Sequence, residues 1–160
     1  MFNASDKPIV FLATVKSTKD PLGLGRVQVE LKDLDKPVEM PWIRMIHGQA
    51  SKGFGTHLLP EVGDMVAVLR GAGDRVSSMY ILGGVYDKVN APALKDKDGK
   101  NNIKQLQTRS KHLLEISDEK GKEKITLKTG KGAEFIFDDK ASKVHIKIKG
   151  LLFEMDGKGK

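Results

Sequence analysis

Apolar and polar residues alternate along most of this 160-residue chain. No stretch shows the three-to-four-residue recurrence of an amphipathic helix, so an all-β fold is expected. In the first part, five segments read as strands: Ile9–Val15, Arg26–Leu31, Trp42–His47, Met65–Arg70 and Met79–Tyr86. Strong breakers separate them, at Asp20-Pro21-Leu22-Gly23, at 33–37, at 48–55 and at Gly71-Ala72-Gly73-Asp74. Short strands joined by Gly-rich turns predict a small closed barrel, because closure removes exposed strand edges.

The pattern then breaks. Residues 88–104 are polar, with Pro92 and Gly99, and show no period. They read as a linker between a head at 1–87 and a second region at 105–160. In that second region apolar pairs return in short bursts: Leu114/Ile116, Ile125/Leu127, Phe135/Phe137, Val144/Ile146/Ile148 and Phe153/Met155. The bursts start 11, 10, 9 and 9 residues apart, with turn residues between them. Each predicts a strand of about 3–5 residues with one dry face, and the near-constant spacing predicts stacked repeats. A lone sheet of such strands has nothing to cover that face, and each large apolar side chain left in water forfeits about 1.5–3 kcal/mol. The pattern therefore calls for an oligomer, without deciding between two copies and three.

Charge sharpens the division. Residues 1–87 hold 10 basic and 10 acidic residues, whereas 88–160 hold 18 and 11, so the whole net charge of +7 lies in the second part. A basic tail invites a nucleic-acid reading. However, these lysines alternate with apolar residues instead of forming blocks, which suits the solvent side of narrow strands. There is no cysteine, hence no disulfide or thiolate site. The N-terminus lacks the features of a leader peptide, and Ile9–Ala13 is far too short to span a bilayer, so synthesis in the cytoplasm is expected.

Catalytic chemistry finds little support. His47, His57, His112 and His145 have no metal-ligand spacing. Asp138-Asp139 point to opposite faces if they lie on a strand. Gly71-Ala72-Gly73-Asp74 lacks the spacing of a phosphate loop, and Ser77-Ser78 lacks a nucleophile elbow. Trp42, Tyr80 and Tyr86 are candidates for base stacking, but packing suits them better in a chain with 6% aromatic residues. Arg26 and Arg44 are expected to pair with Glu61 or Asp64. No catalytic, cofactor or metal site is expected, and the chain is expected not to be an enzyme.

Several elements of the head, in order, resemble a known family. Asp20-Pro21-Leu22-Gly23-Leu24-Gly25-Arg26-Val27, the strand Pro41-Trp42-Ile43-Arg44-Met45, the loop Gly53-Phe54-Gly55, Leu59-Pro60-Glu61-Val62-Gly63-Asp64 and the closing Tyr80-Ile81-Leu82-Gly83-Gly84-Val85-Tyr86, preceded by Gly73-Asp74, are similar to those of contractile-tail spikes. That family includes phage baseplate assembly protein V and the VgrG proteins of type VI secretion. The resemblance implies an OB-type Greek-key barrel, marked by Asp20, Pro21, Gly23, Gly25, Arg26, Trp42, Arg44, Pro60, Gly63, Asp64, Gly83 and Tyr86. It also implies an intertwined trimeric β-helix or prism, with Leu114, Ile116, Ile125, Leu127, Phe135, Phe137, Val144, Ile146 and Ile148 as its core.

The implied role is the spike of a phage tail, tailocin or type VI-like injector, a homotrimer that punctures a target membrane and so works at the tip of a virion or injection particle. The chain begins just before the barrel, so a separate hub or baseplate protein is expected. The linker leaves no room for a lysozyme domain. The tip lacks the His-x-His iron motif of some phage spikes, since His145 stands between Val144 and Ile146. Phe153 and Met155 near the end are expected to contact a PAAR-type tip protein. The competing function is a single-strand nucleic-acid-binding OB barrel with a basic tail.

Overall fold

In a computed structural model of the chain, residues 8–31, 37–71, 76–94 and 96–157 are described. The expected turns at 33–36 and 72–75, with Gly73 and Asp74, fall outside them. The fold is all-β, with one short 3-10 turn at Val76–Ser78. The chain divides into two compact units, Met1–Ala93 and Leu94–Lys160.

The first unit is a barrel. Its strands are β1 (Ile9–Ser17), β2 (Gln28–Leu31), β3 (Val38–Glu39), β4 (Arg44–Met45), β7 (Met65–Arg70) and β8 (Met79–Gly84), hydrogen-bonded in the order β3-β2-β1-β7-β8-β4. A separate hairpin pairs β5 (Ala50–Ser51) with β6 (Phe54–Gly55). The pairing of β4 with β8 is parallel, whereas the other ladders of this sheet are antiparallel. The sheet closes on itself just before β2 and β4, where Val27 and Ile43 exchange both backbone hydrogen bonds at 2.9 Å. Alternate residues point inward, as the sequence pattern requires. Ala13, Val15, Val27, Val29, Ile43, Val66, Val68, Met79 and Ile81 form the core, with Phe11, Leu31, Met40, Met45 and Leu59 packed around it.

Besides Arg26–Leu31, which begins only at Gln28, two expected strands are shorter than their patterns. The segment 42–47 gives only Arg44–Met45, and 79–86 ends at Gly84. At the second, the register steps between Ala67↔Gly83 and Val68↔Ile81, so Leu82 bulges outward and is 43% exposed. A bulge bends its strand and locally disrupts the ladder.

The second unit is one antiparallel sheet of six strands in sequence order: β9 (Ile103–Gln107), β10 (Leu113–Ser117), β11 (Lys124–Lys128), β12 (Glu134–Asp138), β13 (Lys143–Ile148) and β14 (Leu151–Asp156). The five apolar bursts lie on β10 to β14. The first strand, β9, begins inside the stretch expected to be a linker. The rest of that stretch is ordered by its own side chains. Asp87 accepts hydrogen bonds from Val89 N and Asn90 N, and Asp96 accepts one from Asn101 N at 2.7 Å. Here every ladder from β9 to β14 joins neighbours in one chain.

Candidate assembly surfaces

The turn after β1 is organised by one carboxylate. Asp20 accepts hydrogen bonds from the backbone N–H of Leu22 (3.1 Å), Leu24 (2.9 Å) and Arg26 (3.2 Å). Arg26 closes the loop with Nη2 at 2.6 Å and Nε at 3.1 Å from the same carboxylate. The Asp20 side chain is only 3% exposed. The Arg26 hydrogen bonds, with help from the three backbone donors, hold its carboxyl far below the usual aspartate range. Gly23 and Gly25 take φ of +64° and +69°, a region costly for other residues, which lets the chain reverse twice around Asp20.

Arg26 is therefore not paired with Glu61 or Asp64 as expected. A local partner six residues away satisfies it first. Asp64 instead accepts Glu61 N at 2.9 Å, and Gly63 at φ +96° completes that turn after Pro60. Arg44 is exposed on β4, Gly83 sits beside the bulge, Trp42 is half-buried next to core residue Ile43, and Tyr86 is 73% exposed. The barrel residues singled out in the sequence thus mark turns and strand ends.

Two shallow grooves flank the barrel. Met45, Leu58, Leu59, Pro60, Met65 and Tyr86 are among the residues lining one. The other holds Leu24, Phe54, His47 and His57. The imidazoles of His47 and His57 stack with centroids 6.4 Å apart, a pairing the sequence spacing concealed because the β5–β6 hairpin brings the two together. Among the described residues no group of three His, Cys, Asp or Glu side chains is placed to hold a metal ion. Trp42, Tyr80 and Tyr86 make no ring–ring contact among the described residues, so they form no continuous stacking platform.

A barrel closed through Val27 and Ile43, with one parallel pair and grooves built from turns, fits an OB architecture. Residues 11–86 match the model of the type VI secretion system/phage-baseplate injector OB domain. The barrel belongs to that family. No curated protein matches the chain. Membership ties the chain to a phage baseplate or type VI secretion injector, so the head's exposed loop side chains are candidate contacts to other baseplate parts. Leu22, Leu24 and Phe54 are 66%, 69% and 66% exposed.

Beyond the injector OB domain, the second unit presents a different surface. Its cross-strand register aligns two full apolar columns. One runs Ile116–Ile125–Phe137–Val144–Met155, and the other Leu106–Leu114–Leu127–Phe135–Ile146–Phe153. Ile148 opposite Leu151 starts a third. The rings of Phe135 and Phe137 meet edge to face at 4.8 Å. All the apolar residues singled out in the sequence share this face, including Phe153 and Met155.

The opposite face carries Glu115, Thr126, His145, Glu154 and four lysines, together with Ile103, Leu113, Ile136 and Leu152. An ion pair, Lys128–Glu134 at 2.5 Å, and a hydrogen bond between His145 Nδ1 and Glu154 at 2.7 Å cross it. Lys128 holds the Glu134 carboxyl below its usual range.

Burial on the two faces is inverted. Ser117 and Thr126 on the polar face are 4% and 8% exposed, under the long side chains around them. Leu106, Leu114, Ile116, Ile125, Leu127, Phe137, Ile148, Leu151, Phe153 and Met155 on the apolar face are 40–77% exposed.

Proposed function

We propose that the chain is the central spike of a contractile injection apparatus, a homotrimer that stands on a separate hub or baseplate protein and is driven through a target cell envelope. The bare apolar face of the second unit carries this reading. Ten large side chains between 40% and 77% exposed on one sheet far exceed what a soluble monomer leaves uncovered. Three copies turning these faces inward would form a three-sided prism with a continuous dry core and the charged faces outside. Because consecutive strands pair within the chain, each side of such a prism is one chain's sheet. The backbone ladders are already made, so the copies meet through side chains.

The work of this object is mechanical. No step requires catalysis or a cofactor, and the residues proposed for function act by packing. Phe153 and Met155 on β14 are the side chains proposed to contact a PAAR-type tip protein. In this reading the trimer is assembled in the bacterial cytoplasm and acts at the tip of the particle.

The test is the solution mass of the full chain at micromolar concentration, by light scattering after chromatography. A trimer that persists in SDS until heated supports the proposal, and a monomer overturns it. Co-purification with a co-encoded PAAR-type protein tests the cap separately. The competing nucleic-acid reading predicts oligonucleotide binding that weakens steeply with salt.

A further inference from the structure

The excess positive charge of the second unit is not spread over its polar face, where lysines cross-pair with carboxylates. It is sorted by the meander into its turns. Successive turns alternate between the two ends of the strands. One end holds turns 118–123 and 139–142, with Lys120, Lys122 and Lys140 mixed among Asp118, Glu119, Glu123 and Asp139. There Lys122 pairs with Glu119 at 2.7 Å, and Glu123 accepts Gly121 N at 2.9 Å. The other end holds turns 108–112, 129–133 and 149–150, which carry Arg109, Lys111, Lys131 and Lys149 and no acidic residue. The nearest acid on the flanking column, Glu134, is bound by Lys128.

Turns at the same end are two strands apart, so they form a row with a repeat of about 10 Å. The first two are built alike. Thr108 accepts His112 N at 3.1 Å, and Thr129 accepts Ala133 N at 3.0 Å, each through its hydroxyl. They are stacked directly, because a Cβ on Gly130 would collide with the Ser110 carbonyl oxygen.

Backbone conformation follows the turn type. Lys111 and Lys149 sit at φ +63° and +41°, and at the matching place of the second turn stands Gly132, at φ +89°. Ser142 at the other end takes φ +51° as well, so this geometry belongs to the turns of both ends and the charge alone distinguishes the basic row.

We propose that this row of turns is a binding edge for an anionic lipid surface. Lys111, Lys131 and Lys149 are exposed, and among the described residues none of the three has a side-chain ion pair. The row ends beside Leu152, which lies on the polar face opposite Lys147 and is 61% exposed. Basic groups next to an exposed aliphatic side chain fit headgroups above an acyl layer. The turns hold no Phe, Tyr or Trp on which bases could stack, which disfavours a single-stranded nucleic acid. The choice of a membrane rests in part on the spike reading. The sorting of charge does not.

The test uses the full chain with phosphatidylcholine vesicles, the same vesicles containing phosphatidylglycerol, and a single-stranded oligonucleotide. The variant K111E/K131E/K149E is compared with K120E/K122E/K140E, which makes the same charge change at the other end. Binding to the anionic vesicles that falls with salt, drops at least about tenfold in the first variant and less than about threefold in the second supports the proposal. Equal losses in the two variants, equal binding to neutral vesicles, or tighter binding to the oligonucleotide overturns it. K131E alone, at an unstrained position, gives a partial loss and covers the case where the triple variant misfolds. Light scattering on the same samples separates the two readings. A monomer with the same selectivity removes the spike and keeps this edge, and a trimer without selectivity does the reverse.

Discussion

Arg26 grips Asp20 twice, through its side chain and its backbone, across the turn that links β1 to β2. The guanidinium closes on the carboxylate at 2.6 Å while the Arg26 N–H donates to it as well. One acid thus fixes both the loop and the residue that leads into core position Val27, where the barrel closes.

Removing that acid should loosen the barrel. Asp20→Asn keeps the shape but loses the charge-assisted bonds, and a drop of several degrees in Tm at neutral pH is expected. The pH dependence has a fixed sign. The carboxyl of Asp20 lies well below its ordinary value of 3.8 in the folded state. Its contribution is therefore full above about pH 5 and declines as pH falls below about 4. The Tm gap between wild type and variant should shrink as pH falls through that range. A gap that stays constant down to strong acid would sink the assignment.

The apolar columns of the second unit make a sharper prediction. Leu127 lies between Leu114 and Phe135 in its column and is 49% exposed. Leu127→Glu places a charge where copies are proposed to meet, and burying it unpaired is strongly unfavourable. The variant should elute as a monomer at the concentration where the wild type is proposed to be a trimer, while the barrel keeps its own thermal transition. If both proteins show the same mass, the face is not the interface.

How much of this was legible in the sequence varied with the length scale of the cause. Val27 and Val29 alternate with Arg26, Gln28 and Glu30, and that local period is all a strand needs to choose its inner face, whereas Val66 and Val68 stand among Met65, Ala67 and Leu69 and their inward side was set by the barrel. The bursts from Leu114 to Met155 worked in the same way. What stayed hidden depended on chain reversal. His47 and His57 are ten positions apart and meet only because a two-residue hairpin folds between them. Arg26 was assigned a distant acid because residues 20–26 gave no sign, in pattern alone, of wrapping around one carboxylate. The segregation of Lys111, Lys131 and Lys149 needs the meander itself, since only its alternating turns decide which lysines share an end.

Gly130 tests the stacking of the turns. Its backbone angle is ordinary, so the reason for glycine is space, with the Ser110 carbonyl where a Cβ would go. Gly130→Ala should destabilise the second unit by about 1–3 kcal/mol, as overpacking typically does. Gly132→Ala is the control. It has open space but a φ of +89°, so it costs about 1–2 kcal/mol through the backbone alone. Denaturant titration of each variant reads both. If Gly130→Ala costs nothing, the two turns do not touch as described.

The last prediction concerns the two edges of the same sheet. Lys104 on β9 lies in the column of Ile116, Ile125, Phe137, Val144 and Met155, so a charge stands at the start of an apolar row. Its ammonium donates to the Asn101 carbonyl. A charge on the apolar face of an edge strand is a known guard against edge-to-edge pairing. The far edge has no such guard on that face, where β14 shows Leu151, Phe153 and Met155, in keeping with a strand that is covered by a partner. Lys104→Leu should therefore leave folding intact and promote assembly beyond the trimer, seen as growth of large species in light scattering over hours. The matching change on the other face, Gln105→Leu, should do so far less, because it adds no continuation to the apolar column. Equal aggregation of the two variants would mean that general hydrophobicity, not the position of the charge, controls the edge.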